Sequence, residues 1–305
     1  MTALEQLLLS VIQDAFPLEE RPYRVLAEQL GSDEQSVFAA VENLRQSGII
    51  RRIGGVYDSK ALGFISRLCA GKVTESAIEA FATAVNEIPA ITHNYQRSHE
   101  YNVWFTVIAQ SEEEIQKVVD DVCVKTDLHD VHVLLATKKF KINTVMGGTA
   151  APVIRKNSCV RSKPLSGSDR NRIRIACEDI PHSLTPFKDW GVSCDELRED
   201  LDLRRMRRFG AILRHQEAGF ADNAMVCFNA TNGGDILAQK PYISHCYERP
   251  AFEGFPYTLY AMMHAQSAEE LDRQIKEAAE SIGNPDYVVL RSVRELKKTS
   301  FKFFV

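Results

Sequence analysis

The sequence predicts an α+β chain, a tandem repeat of a winged helix-turn-helix followed by a ferredoxin-like βαββαβ domain. The expectation rests on two observations. The sequence repeats itself at a nearly constant offset, and in each copy helix-like segments precede alternating strands and helices. RRIGGVYDSKALGF (51–64) lies without gaps on RRFGAILRHQEAGF (207–220) at an offset of 156. ITHNYQR (91–97) lies on ISHCYER (243–249) at an offset of 152, and YNVWFTVIAQSEEEI (101–115) lies on YTLYAMMHAQSAEEL (257–271) at 156 again. Two four-residue indels account for both shifts.

The elements follow in order. Residues 4–16, 20–31 and 32–48 read as three helices. Ser32 is the natural N-cap of the third, Val37, Val41 and Leu44 share its face, and Gly48 ends it. IIRRIGGVYD reads as a two-strand wing turning at Gly54-Gly55. Residues 65–73, 90–97, 101–109 and 130–140 read as strands, with helices at 74–87 and 111–125. The predicted divisions are a winged helix-turn-helix at 1–62, a ferredoxin-like domain at 63–147, a linker at 148–168, a degenerate winged helix-turn-helix at 169–219 and a second ferredoxin-like domain at 220–305. The second headpiece is degenerate because about one turn of its third helix is missing and Pro181 and Pro186 interrupt its second. An open antiparallel sheet leaves one face in need of cover, so the two sheets are expected to pair within the chain as a pseudo-dimer.

Composition excludes several function classes. With 45% hydrophobic and 26% charged residues in 305, the chain is an ordinary globular one, and a net charge of −4 removes any whole-chain attraction to nucleic acid or an anionic membrane. Seven cysteines lie scattered, no two closer than 17 residues, which disfavours disulfide frameworks and CxxC sites and fits a reducing cytoplasm. The N-terminus reads as an amphipathic helix rather than a signal peptide, and no apolar run is long enough to span a membrane. The third helix offers only Arg45 to a duplex, beside Glu42 and after Asp33-Glu34, so DNA reading is not expected.

The chemistry-bearing signal is a doubled His-x-Tyr-x-Arg. Period-two alternation aims His93, Tyr95 and Arg97 at one face of a strand, and His245, Tyr247 and Arg249 likewise. Histidine ligates a metal or moves a proton, tyrosine donates a hydrogen bond or proton, and arginine grips a carboxylate bidentately. A second repeated cluster, Arg51-Arg52 and Arg207-Arg208 with Arg204, Arg205, Arg214 and His215 added in the second copy, suits a polycarboxylate. Arg155, Lys156, Arg161, Lys163, Arg170, Arg172 and Arg174 read as a solvated tether. His99, His129, His132, His182 and His264 lack a repeated partner and receive no role.

The architecture resembles the Lrp/AsnC regulators, most closely over LAEQLGSDEQSVFAAVENLRQSGIIRRIGGVYD. RRFGAILRHQEAGFADNAMVCFNA with ISHCYERPAFEGFPYTLYAMMHA is similar to the second subunit of siroheme decarboxylases, and RRIGGVYDSKALGFISRL with ITHNYQRSHEYNVWFTVIA to the first. The resemblance implies a fusion of two subunits that removes two acetate carboxyls of siroheme as carbon dioxide, giving didecarboxysiroheme for haem or haem d1. It implies no cofactor beyond the iron tetrapyrrole, which is its own electron sink. His245, His93, Tyr247 and Tyr95 are then the candidate catalytic residues. Arg249, Arg97, Arg207, Arg208, Arg214, Arg51 and Arg52 are the candidate carboxylate contacts. The second copy, richer in arginine, is favoured as the working site, with His245 as proton donor or axial ligand of the substrate iron and His93 completing the site from the facing unit. Two alternatives remain, a ligand-sensing regulator and a non-enzymatic tetrapyrrole carrier.

Overall fold

The computed structural model describes residues 1–142, 164–213 and 222–305. The first headpiece holds α1 (Ala3–Ile12), α2 (Pro22–Leu30) and α3 (Glu34–Gln46), followed by β1 (Ile50–Tyr57). Thr2 and Glu5 form a capping box on α1, while α2 has Pro22 in its first turn and stops at Gly31 with φ 64°. The N-cap of α3 is Asp33, one residue later than expected, because its carboxylate accepts both the Ser36 amide (2.9 Å) and the Ser36 hydroxyl (2.6 Å).

The first ferredoxin-like unit comprises β2 (Ile65–Val73), α4 (Ile78–Asn86), β3 (Ile91–Arg97), β4 (Val103–Ala109), α5 (Glu112–Lys125), β5 (Leu128–Leu134) and β6 (Lys138–Ile142). The second headpiece has α6 (Gly167–Ala176), α7 (Pro186–Trp190), α8 (Cys194–Asp202) and β7 (Met206–Leu213). Its ferredoxin-like unit follows as β8 (Asp222–Phe228), α9 (Gly234–Gln239), β9 (Ile243–Glu248), β10 (Leu259–Ala265), α10 (Ala268–Ser281) and β11 (Tyr287–Lys298). At 9 residues against 13, α8 is one turn shorter than α3, as the indel required.

The expected wing hairpin does not form. β1 is one continuous strand, paired antiparallel with β7, and Gly54 lies opposite Gly210, its own repeat equivalent. A pseudo-two-fold axis therefore passes between these two glycines. They make room rather than reverse the chain: a Cβ on Gly54 would fall 2.4 Å from the Glu178 carbonyl oxygen, and one on Gly210 would fall 2.6 Å from that of Ile12. Around this ribbon both headpieces merge into one core, with Leu8, Ile12, Tyr23, Val41 and Ile53 packed with Ile173, Leu197, Met206 and Phe209. Phe303, from the end of the chain, joins it.

A second departure concerns the last strand of each unit. The single strand expected over 130–140 is two, since β5 pairs with β2 and β6 crosses to β9 of the other unit. β11 makes the same crossing without a break, pairing with β8 through Tyr287–Arg291 and with β3 beyond Ser292. The order β5-β2-β4-β3-β11-β8-β10-β9-β6 thus joins the two sheets at both edges. Between their facing sides lies a shared core of Tyr101, Trp104, Leu134, Cys227, Phe255, Tyr260 and Leu290, as the pseudo-dimer expectation required. The outer faces bury α4 and α5 through Phe81 and Val119, and α9 and α10 through Leu237 and Leu271. The four-residue insertion of the second copy lies in the β9–β10 loop, where Phe252 and Phe255 stack at 5.0 Å and Phe255 reaches Trp104 at 5.8 Å.

Part of the basic tether is not solvated. Arg172 lies buried in α6 and grips Asp200 through Nε (3.1 Å) and Nη2 (3.0 Å). Asp200 is fully buried, accepts the Tyr57 hydroxyl from β1 at 3.0 Å and lies 3.6 Å from Arg205. The alternation that exposes Arg170 and Arg174 turns Arg172 inward, so one of the three arginines staples the two headpieces. Arg155, Lys156, Arg161 and Lys163 lie outside the described residues. Among those described, no helix is long and apolar enough to cross a membrane.

Candidate active site

A β-bulge sets the local geometry in both units. Where β3 pairs with β4 the register slips between Ile91 and His93, and where β10 pairs with β9 it slips between Met262 and Met263, so Thr92 on β3 and Ser244 on β9 are the extra residues. Each bulge turns the following histidine onto the face shared with Tyr and Arg, the side of the inter-sheet core. The bulged hydroxyl then fixes the ring, with Thr92 Oγ1 2.9 Å from His93 Nδ1 and Ser244 Oγ 2.9 Å from His245 Nδ1.

Each motif forms a ladder. His93 stacks on Tyr95 with centroids 6.4 Å apart, and His245 on Tyr247 at 6.2 Å. Arg97 lies 5.0 Å over the Tyr95 ring and Arg249 5.2 Å over that of Tyr247. At the foot of each ladder the arginine donates from Nη1 across the unit boundary, Arg97 to the Leu290 carbonyl (3.1 Å) and Arg249 to that of Leu134 (2.8 Å). Those two leucines are repeat equivalents. Arg97 and Arg249 are only 5% and 9% exposed, their Nε atoms have no hydrogen-bond partner, and no carboxylate stands within ion-pair distance among the described residues. Burial pushes Arg97 down to about 10 and lowers Arg249 as well, against the opposing influence of the neighbouring tyrosines. A buried cation without a counter-ion is costly. An anion would relieve it.

The two ladders differ in what the other unit places against them. Tyr95 pairs across strands with Glu295, and its hydroxyl donates to Glu295 Oε2 at 3.3 Å. Burial first and Glu295 second raise the Tyr95 pKa. Beyond Lys298 the C-terminal tail continues beside β3: Thr299 donates its amide to the Thr92 carbonyl (2.8 Å), and Ser300 Oγ accepts from Arg51 at 2.8 Å. Tyr247 instead pairs with Lys139. Burial raises its pKa while Arg249 and Arg207 oppose the rise. Solvent-exposed Lys139 is lowered by partial desolvation, with Asp58 opposing, and Arg207 Nε is held by Asp58 at 3.1 Å.

Arg51 and Arg207 thus bear electrostatically on Tyr95 and Tyr247, the second residues of the two ladders. Arg51 and Arg207 are the extra residues of β-bulges. Arg52 donates to the Gly55 carbonyl (3.3 Å) and from Nε to the same Ser300 Oγ (3.4 Å) that Arg51 meets, while Arg208 donates to the carbonyls of Ala211 (3.1 Å) and Gln13. Burial pushes Arg208 down to about 10. Arg214 lies outside the described residues. His93 does not join His245 either: β3 and β9 are separated by β11, β8 and β10, and each borders the final strand of the opposite unit. Two residues were missed. Lys139 falls at the repeat position of Glu295, a signal visible only if the last strand is aligned through its break. His264, set aside for want of a repeated partner, lies 2.9 Å from Ser244 Oγ.

Known proteins are similar to the chain along nearly its whole length. The chain matches an AsnC-like ligand binding domain at residues 61–141 and again at 217–297, and a siroheme decarboxylase NirDL-like HTH domain at 5–51. It is 32% identical to a siroheme decarboxylase of Hydrogenobacter thermophilus over 97% of this chain and 94% of that one. Over 47% of its length it is 46% identical to a siroheme decarboxylase alpha subunit of Desulfovibrio desulfuricans, covering 82% of that subunit. A crystal structure of siroheme decarboxylase NirDL in complex with an iron-uroporphyrin III analogue superposes with a TM-score of 0.73 at 28% identity, covering 99% of this chain and 95% of that one.

Proposed function

Because the chain belongs to the siroheme decarboxylase family, we propose that it acts as a carboxy-lyase, taking two acetate carboxyls from siroheme at the second ladder in haem or haem d1 synthesis. The observation that carries this assignment is Arg249, a buried cation with no carboxylate in ion-pair distance among the described residues, beneath Tyr247 and His245 and near Arg207 and Lys139. Siroheme is a polycarboxylate around an apolar ring. Cations set against aromatic surface suit both features. The first ladder has the same foot in Arg97, but there Glu295 holds Tyr95 and Ser300 holds Arg51. These contacts support the second ladder as the working one, with Tyr95 and His93 in a self-satisfied copy.

When the scissile carboxylate leaves, its bonding pair stays on the methylene carbon and spreads into the macrocycle, so no organic cofactor is required. What falls to this chain is to hold the remaining carboxylates, shed water around the reacting one and deliver a proton to carbon. Arg207, Lys139 and Arg249 suit the first task, and His245 and Tyr247 suit the last. The siroheme product keeps the same charges elsewhere on the ring, so release depends on the lost pair of carboxylates. Lys139→Ala and Arg207→Ala should each weaken binding of the iron-uroporphyrin III analogue by about tenfold, the equivalent of one charge-assisted contact. Arg51→Ala should leave it within about twofold. The reverse pattern would move the working site to the first ladder.

The helices of the headpieces are read as scaffold. Arg45, which alone gives α3 a basic residue, is buried in ion pairs with Glu42 (3.2 Å) and Asp179 (3.1 Å), which leaves little to meet phosphate. Duplex DNA should therefore bind weakly and without sequence preference, and a sharp footprint at physiological salt would revive the regulator reading.

A further inference from the structure

Each departing carboxylate leaves an electron pair on carbon, and that pair needs one proton to complete a methyl group. Two decarboxylations consume two protons, so a donor that faces the substrate must be resupplied between events. The second ladder carries a route that the first lacks. Ser244 Oγ stands 2.9 Å from His245 Nδ1 and 2.9 Å from His264 Nε2, a continuous chain of imidazole, hydroxyl and imidazole. His264 is half-buried, two residues beyond Met262 on β10, and Met262 pairs directly with His245. In the first unit Thr92 holds His93 in the same way, but the repeat equivalent of His264 is Ile108. That chain ends at the hydroxyl.

We infer that His264 acts through Ser244 as the positioning and proton-return residue for His245, a part that belongs to the second ladder alone. The inference rests on His245 as the proton donor. In the step, the Nε2–H bond of His245 breaks and the carbon pair forms the new C–H bond. The Ser244 hydroxyl proton passes to His245 Nδ1, and the Nε2 proton of a protonated His264 passes to Ser244 Oγ. His264 ends neutral and His245 carries its proton on Nδ1. A solvent proton taken up at Nε2 of His245 then sends the Nδ1 proton back through Ser244 to His264, which restores both rings for the second event, so charge and protons balance. One hydroxyl suffices as the bridge because it donates to one ring while accepting from the other.

Anaerobic turnover of siroheme by the full chain carrying His264→Ala or Ser244→Ala tests this. Both variants should bind the iron-uroporphyrin III analogue within about twofold of the parent and keep KM. Their kcat should fall roughly tenfold, less than the loss of a direct donor, and monodecarboxylated product should accumulate. Added imidazole should restore His264→Ala, whose missing ring it can replace, and not Ser244→Ala. Unchanged kcat in either variant, or a loss in His264→Ala that imidazole does not repair, would overturn the relay. Full activity of His245→Ala would instead remove the donor on which the relay rests, so the two failures are distinguishable.

Discussion

His245→Ala should lower siroheme turnover by roughly 10²–10⁴-fold, the usual consequence of removing a positioned acid or base, while His93→Ala should stay within about threefold of the parent. Tyr247→Phe should show the same asymmetry against Tyr95→Phe. The reason is local. Tyr95 already donates to Glu295, and the tail beyond Lys298 lies along the strand of His93, whereas cations surround Tyr247. The absorption spectrum of the bound iron tetrapyrrole separates two roles for His245. A spectrum unchanged in His245→Ala identifies a proton donor, and a shifted one an axial ligand. Equal losses in the two histidine variants would mean that both ladders work, and no loss in either would make the repeated motif structural.

Asp200→Ala should cost about 3–5 kcal/mol of stability, read as a lowered guanidinium midpoint, because it leaves buried cations without their counter-charge. The carboxylate is fully buried and neutralises Arg172 while accepting Tyr57. Its removal strands Arg172 and Arg205, themselves only 7% and 2% exposed, without their nearest fully buried counter-charge. Because Tyr57 sits on β1 and Arg172 on α6, the loss should loosen one headpiece from the other. A change below about 1 kcal/mol would show that Asp169 and Glu196, which also approach Arg172, carry the balance instead.

The repeat made most of this fold legible. An offset of 156 residues identified two units, and the interruption near Pro186 marked the weakened second headpiece, now seen as the five-residue α7. What stayed hidden was how the units share strands. Gly54-Gly55 carries a strong local turn signal, but the glycines answer a long-range demand, the close approach of carbonyls across the pseudo-dyad. The crossing of β6 and β11 was hidden for the same reason, since pairing between units leaves no local mark. In the candidate site, alternation groups His, Tyr and Arg correctly in each copy, but at the Arg-Arg pairs β-bulges interrupt alternation, and no local signal marks them. Lys139 and His264 escaped notice because the search favoured residues that repeat, while the two ladders differ through residues that do not.

Mass spectrometry of the products formed when the full chain meets siroheme without oxygen tests the central claim most directly. The account predicts loss of two carboxyl groups as carbon dioxide, with both losses abolished together in His245→Ala and retained in His93→Ala. Siroheme recovered intact from the parent chain, under conditions where it binds, would contradict it.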